Sequence, residues 1–437
     1  VSTVQALVER AREERVAAAM RAFVQDFTRE AAVHMDACVR CGHCSHACHF
    51  YVSTGDPKYT PINKIEPFLH AYRRTAAPWA PLARLFGAEK AVTLQELERW
   101  QELIYDACTM CGRCTLVCPM GIDIAALIAR ARHGMFAAGL VPQDLGAVAE
   151  RAELEMSPLG ATPKVLKERI AWLEQEHGIR VPLDAPRAAV LVTLSSIEIM
   201  KYPGSLVAMA RVLEHVGESW TISTQGYEAT NFGLLSGNRD WQRDMSERVI
   251  GAAIACGART VVLPECGHAY GALRWEGANV HGAPLPFEVL HISEYLAELI
   301  DSGRLRLEPL GKSLTFHDPC QVSRRGGAVA APRKVLAALG VELRELGDHA
   351  DAAWCCGGGG GVLAIQRADE LRRGAFRIKM AEIDATGAEL VATSCANCRQ
   401  SFDDGKVQFK WDKSVHSLLE MVAGQLEGLP AERLAPN

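Results

Sequence analysis

From Arg187 onward the chain alternates short apolar runs with longer amphipathic stretches. The runs are AAVLVTL at 188–194, TVVLPE at 260–265, SLTFHDPC at 313–320, VELREL at 341–346 and ELVATSC at 389–395. Between them, residues 203–216, 241–256, 289–301, 332–339 and 366–386 carry apolar side chains at helical spacing. This alternation predicts an α/β region of mostly parallel strands, split near residue 310 into two similar halves. Ligands in such folds sit beyond the carboxyl ends of strands, where Cys320 and Cys395 fall. Upstream the texture is helical. Val4, Leu7, Val8, Ala11, Ala18, Phe23, Val24 and Phe27 keep a rough helical period, as do stretches 94–107, 121–140 and 163–176. The expected organisation is a helical domain over 1–150, a linker helix over 151–185, and α/β halves over 186–310 and 311–437.

Charge changes little in this picture. The net charge of −5 comes from mixed acidic and basic residues, with no basic stripe for nucleic acid. No apolar run reaches the length of about 18 residues that a membrane span needs. The opening VSTVQALVERAREERVAAAM, rich in Glu and Arg, does not read as a secretory signal. The expectation is a cytoplasmic protein whose membrane role, if any, comes through a partner subunit.

Cysteine changes it a great deal. There are 15 cysteines, too many for an ordinary intracellular chain, in a protein too long for a disulfide-stapled miniature. CVRCGHCSHAC (38–48) and CTMCGRCTLVCP (108–119) both read C-x2-C-x2-C-x3-C, the bacterial-ferredoxin spacing for [4Fe–4S] clusters. The fourth cysteine of such a run ordinarily serves the other cluster. One cluster is therefore assigned to Cys38, Cys41, Cys44 and Cys118, the other to Cys108, Cys111, Cys114 and Cys48. Gly42 and Gly112 let the loops come close to the clusters. Structural zinc takes four ligands in paired knuckles and fits two complete runs badly. The long helical spacer points to an α-helical ferredoxin domain. Where the second run has Pro119 the first has His49, either a hydrogen-bonding group or a packing substitution.

A second constellation lies downstream. Cys320 closes HDPC, Cys355 and Cys356 open CCGGGGG, and Cys395 and Cys398 form CANC. These five thiols exceed what a cubane needs. Adjacent cysteines make sense where each thiolate meets a different iron, and the glycines, Gly357 and Gly358 first, let bare backbone wrap the cluster and offer N–H groups. His317 and Asp318 precede Cys320 and either supply protons or cap the turn that carries it. The first half keeps only Cys266 of such a set; Cys256, inside a helical stretch, reads as a small buried hydrophobe. Cys266, Glu228 and His268, with Asn231, either line a pocket beside the cluster or are ordinary loop and core positions. No GxGxxG fingerprint follows a strand, so no flavin or nicotinamide is expected on this chain.

HDPC, CCGGGGG and C-x2-C, framed by HISEYLAELIDSGRL (291–305), APRKVLAALGVEL (331–343) and GAELVATSCANC (387–398), resemble the CCG domain of heterodisulfide reductase subunits. With the two ferredoxin runs, the resemblance to DsrK/HdrD-type iron–sulfur subunits spans essentially the whole chain. It implies an α-helical ferredoxin domain followed by an α/β CCG module of two pseudo-repeated halves. It also implies two cubane clusters, and one non-cubane [4Fe–4S] cluster on Cys320, Cys355, Cys356, Cys395 and Cys398 that reduces or oxidises a disulfide or trisulfide. The first half is expected to hold no cluster. Implied partners are a membrane quinone or haem subunit (DsrM-like), a DsrC-like small protein with C-terminal cysteines, and further subunits, at the inner face of the cytoplasmic membrane. The alternative is an electron-transfer subunit of a glycolate, lactate or glycerol-3-phosphate dehydrogenase.

Overall fold

A computed structural model describes residues 2–87 and 90–428; residues 429–437 of the expected second half lie outside the described residues. The chain forms two units. One comprises the residues up to Glu150 with Phe232–Gln242 and Gly357–Ile378; the other comprises Arg151–Asn231, Arg243–Cys356 and the residues from Lys379 onward.

The first unit is helical. Helices Arg12–Gln25 and Ile124–Ala137 pack face to face. Their crossing explains a glycine inside a helix, where it is otherwise unfavourable: a Cβ on Gly134 would stand 2.2 Å from the Phe23 ring. Phe23 and Phe27 meet Phe68 of helix Glu66–Thr75 at 5.5 and 5.1 Å between ring centres. Helix Leu94–Gln101 starts from a capping box, in which Thr93 accepts from the Glu96 amide and Glu96 accepts from that of Thr93. Residues 232–242 and 357–378, assigned by the sequence pattern to the α/β halves, pack within this helical unit. Buried polar groups draw them in. The Tyr105 hydroxyl donates to the Ser236 carbonyl at 2.7 Å. Arg132 donates to the Leu235 and Gly360 carbonyls, and Arg367 forks onto Asp106 at 2.6 and 3.0 Å.

The second unit is the α/β module. Its strands are β1 (Val190–Val192), β2 (Trp220–Thr221), β3 (Thr260–Leu263), β4 (Glu288–His291), β5 (Ser313–His317), β6 (Glu342–Leu343), β7 (Leu390–Thr393) and β8 (Val415–Ser417). They form two four-stranded sheets, β2-β1-β3-β4 and β6-β5-β7-β8, with every pairing parallel. Each half thus repeats one topology, as the alternating pattern predicted. The strands are short and apolar because parallel sheets are covered on both faces. One core joins the halves, taking Val190, Val192 and Val262 from the first and Leu314, Phe316 and Ala392 from the second. The stretch 151–185, expected as a linker, belongs to that core. Its helix Pro163–His177, capped by Thr162, buries Leu166, Ile170 and Leu173 there.

Two strands escaped the pattern. Residues 289–301 read as one helix, yet 288–291 form β4 and the helix begins at Ile292. The break lies at His291, whose ring accepts from the Ser293 amide and whose own amide is bonded by Glu294. β8 runs into helix Leu418–Ala423 in the same way, through Ser417.

Candidate functional site: three groups of cysteine thiols

In the helical unit, Cys38, Cys41, Cys44 and Cys118 line one cavity together with Ile62, Ile122 and Ile124. Cys41 is exposed. Burial and the neighbouring Cys118 and Cys38 raise the Cys44 thiol. The two loops share one backbone form. Arg40 and Met110 both have φ 53°, and Gly42 and Gly112 have φ 75° and 74°. Left-handed non-glycine residues are uncommon and held only where the surroundings demand them. Nothing stands within 4 Å of where a Cβ on Gly42 would lie, which leaves open space on that side of the loop.

Cys48, Cys108, Cys111 and Cys114 form the second group: burial first, then Cys111, Cys108 and Cys48, raise Cys114 well above the usual thiol range. Lys64 reaches into it. It is 2% exposed, and its ammonium donates to Cys48 Sγ at 3.2 Å and to the Ala107 carbonyl. Four thiols around a common space, none in a disulfide, with a buried cation beside them, fit a thiolate-bound anionic cluster. His49 is buried and lies against Phe50, 4.2 Å between rings.

The third group belongs to the α/β module. Cys320, Cys355, Cys356, Cys395 and Cys398 are all buried. The adjacent pair splits: Cys355 Sγ lies 3.9 Å from Cys320 Sγ, whereas Cys356 Sγ lies 3.2 Å from Cys398 Sγ. Cys395 is the thiolate of the CANC pair, lowered by the Cys398 thiol and by the Gly267 amide. Cys398 is pushed well up by its bonds to Cys356 and Cys395. His317 brings a ring nitrogen within 4.8 Å of Cys356 and Cys398. Its ring nitrogens have no hydrogen-bond partner, and burial, then Lys379, lowers its pKa to about 3. It is a neutral imidazole facing thiols, and unpartnered buried polar atoms beside packed sulfurs fit a metal-containing group. Asp318 does different work. Fully buried, it takes both arms of the Arg333 fork at 2.8 Å and the Ala350 amide at 2.7 Å. It therefore latches the loop that leads to Cys355.

The glycine run has two explanations in place of one. Gly357 has φ +89° and faces Arg372, and Gly358 is buried. At Gly360, however, a Cβ would stand 2.7 Å from the Thr109 carbonyl carbon and 2.8 Å from the Cys108 oxygen. Glycine is needed there because the chain lies directly on the loop of the second cysteine group, all within the helical unit.

In the first half, Cys266 is buried and pushed up to about 12 by burial and then by Cys395, so it abuts the third group. It starts a short helix after β3 with φ −140° and ψ 103°; Cys395 starts one after β7 with φ −150° and ψ 112°. Glu228 accepts from the Ser196 amide and hydroxyl and from the Thr230 amide, and burial raises it. The cavity it lines is formed by Met156, Tyr227, Thr230, Met245 and Arg248 among others, and none of the five downstream cysteines lines it. Asn231, expected as a wall residue, is buried and donates to Ser246 at 3.0 Å. His268 is buried, and Cys256 packs in the core with Val249 and Val261. The sequence reading passed over Glu198 and Glu265, buried carboxyls raised by burial to about 7 and about 8. Glu198 carried a signal, the S-x-x-E capping box with Ser195. Lys64 and Arg132 carried none that composition or spacing reveals.

The 4Fe-4S dicluster domain model matches residues 34–122, and the cysteine-rich (CCG) domain model matches residues 314–403. The HdrD-type subunit of the dihydromethanophenazine:CoB–CoM heterodisulfide reductase of Methanosarcina barkeri is 28% identical over 92% of this chain and 96% of its own. The Hdr-like menaquinol oxidoreductase iron-sulfur subunit 2 of Archaeoglobus fulgidus is 26% identical, over 91% and 80%. A probable membrane-anchored ferredoxin of Chromohalobacter salexigens is 28% identical over 93% of this chain and 62% of its own length. Among the described residues no helix is long and apolar enough to cross a membrane. Two domains in this order, matched nearly end to end by the Methanosarcina reductase polypeptide, make the chain a heterodisulfide reductase-like iron–sulfur oxidoreductase of the HdrD-type CCG family.

Proposed function

We propose that this chain passes electrons through two cubane sites to the cysteine-rich site, where a disulfide or trisulfide is reduced or formed. Cys38, Cys41, Cys44 and Cys118 hold one cubane; Cys108, Cys111, Cys114 and Cys48 hold the other. Cys320, Cys355, Cys356, Cys395 and Cys398 hold a non-cubane [4Fe–4S] cluster. Bound clusters supply one-electron steps, and reductive cleavage of a disulfide takes two electrons and two protons to give two thiols. The protein's own part is positional. Asp318, gripped by Arg333 and Ala350, sets the loop that aims Cys355 and Cys356 apart. His317, neutral and buried, adds no charge to the thiolates it faces. The observation that carries the reading is this divergence of two adjacent thiols toward Cys320 and Cys398.

The first half offers one thiol, Cys266, beside the group and no complete set of its own. The proposed substrate is a DsrC-like protein with C-terminal cysteines. The proposed partners are a DsrM-like membrane quinone or haem subunit and further subunits, with the chain at the inner face of the cytoplasmic membrane. The test is anaerobic. Purified protein should hold about 12 iron atoms in three four-iron groups and should reduce a DsrC-type disulfide or trisulfide from a one-electron donor. Cys356→Ser should abolish that turnover and leave both cubane EPR signals. Copurification with a flavoprotein dehydrogenase, with no disulfide turnover, would support the dehydrogenase-subunit alternative and refute this one.

A further inference from the structure

Two cations are buried in the helical unit, and both serve one group of cysteines. Lys64 donates to Cys48 Sγ at 3.2 Å. Arg132 is fully buried, and its guanidinium donates to the carbonyls of Ile104 at 3.0 Å, Cys108 at 3.0 Å, Leu235 at 2.8 Å and Gly360 at 2.6 Å. All those acceptors are neutral. The neighbouring acid, Asp106, is already taken by the Arg367 fork. A buried charge bonded only to neutral dipoles is costly unless an opposite charge lies close. The cysteine group that both cations approach is Cys48, Cys108, Cys111 and Cys114. The other group has no such company on its open side. Arg40, in its loop, is paired with Glu66 at 2.8 and 2.9 Å with both side chains about half-exposed, where solvent screens the charge.

Resting on the reading that each group holds a [4Fe–4S] cluster, we infer that Lys64 and Arg132 make the Cys48, Cys108, Cys111, Cys114 site the easier of the two cubane sites to reduce. Reduction adds one electron and hence one negative charge. Fixed cations in a low-dielectric surrounding favour that charge far more than solvent-screened ones do. One electron leaves the site of the exposed Cys41, which is oxidised, and one arrives at the Lys64 site, which is reduced; no bond breaks and no proton moves. The arrangement orders the relay. Electrons enter at the exposed rim and collect where Arg132 ties the Cys108 carbonyl to Gly360, four residues past Cys356 in the chain.

The experiment is a redox titration of the iron-loaded full chain followed by EPR, with no substrate present. In the wild type, the cubane signal that appears first on reduction should persist in Cys41→Ser; its loss there would overturn the inference. In Lys64→Met that first midpoint should fall by at least a factor of ten in the reduction equilibrium, about 59 mV for a one-electron couple. The second midpoint should stay, and Lys64→Arg should restore the first. Unchanged midpoints, or equal shifts of both, would overturn it even if iron content is full. Should Lys64→Met lose iron, the wild-type order of reduction still decides. A chain that binds no four-iron clusters at all would instead refute the underlying functional reading.

Discussion

Gly360→Ala should damage the second cubane site without touching any cysteine. The residue has φ +63°, and its Cβ would lie 2.7 Å from the Thr109 carbonyl carbon and 2.8 Å from the Cys108 oxygen. The two contributions separate. A left-handed conformation costs an L-residue roughly 1–2 kcal/mol. Overpacking against backbone, which cannot rotate aside, adds about 1–3 kcal/mol. Gly178 is the control, with φ +61° and nothing within 4 Å of its Cβ position, so Gly178→Ala carries only the first contribution. Anaerobic thermal melts of both variants should therefore differ, by about 2–4 °C for each kcal/mol of overpacking. Because the clash falls on the loop of Cys108, Gly360→Ala should also alter or bleach the EPR signal of that site, whereas Gly178→Ala should leave every signal alone. Equal melting temperatures for the two variants, with unchanged spectra, would refute the claim that the run is glycine here to lie against Cys108.

Two further outcomes follow from buried charges. Asp318→Asn removes the charge that Arg333 grips, although Arg333 keeps Glu345 at 2.8 and 3.0 Å. A loss near the low end of about 3–5 kcal/mol is expected, with the cysteine-rich EPR signal weakened and both cubane signals kept; an unaltered spectrum would remove Asp318 as the latch. Burial raises Glu198 from 4.5 to about 7, so between those values the folded chain holds a proton that the unfolded chain has released. Stability then declines as pH rises through that window and levels above it, by a few kcal/mol at most. Glu198→Gln should flatten this decline, and identical pH–melting curves for variant and wild type would show that Glu198 is ionised in the fold.

Much of the architecture was readable because the same signals that build it are local. The period of apolar residues gave the central strands β1, β3, β5 and β7 and the helices between them. Thiolate spacing marked the two ferredoxin runs, since the positions of three ligands on one loop are set by the loop itself. What stayed hidden depends on partners far along the chain. β4 and β8 are cut from their helices only by the caps His291 and Ser417. β2 is two residues long, below the reach of any period. Gly360 is glycine because of Cys108, and Arg132 is buried because four separated segments supply its carbonyls. Residues 232–242 and 357–378 join the helical unit for the same reason, which no window of sequence contains.

The two halves of the α/β module show how little of the chemistry lies in the fold itself. Both sheets have one strand order, and Cys266 and Cys395 occupy equivalent turns with nearly the same backbone angles. Around Cys395 the neighbouring loops present four more thiols. Around Cys266 the loops present Glu198, Glu228 and Glu265 instead, carboxyls whose pKa values burial raises. They are satisfied by hydroxyls and amides from Ser195, Ser196, Thr230 and Leu419. A soft iron site needs thiolates, while a carboxyl that keeps its proton is a hydrogen-bonding group and a poor anionic ligand. The scaffold accommodates either filling because each is internally satisfied. The repeat therefore divides its labour: one half supplies sulfur to metal, and the other closes against it with hydrogen-bonded oxygen and the lone Cys266.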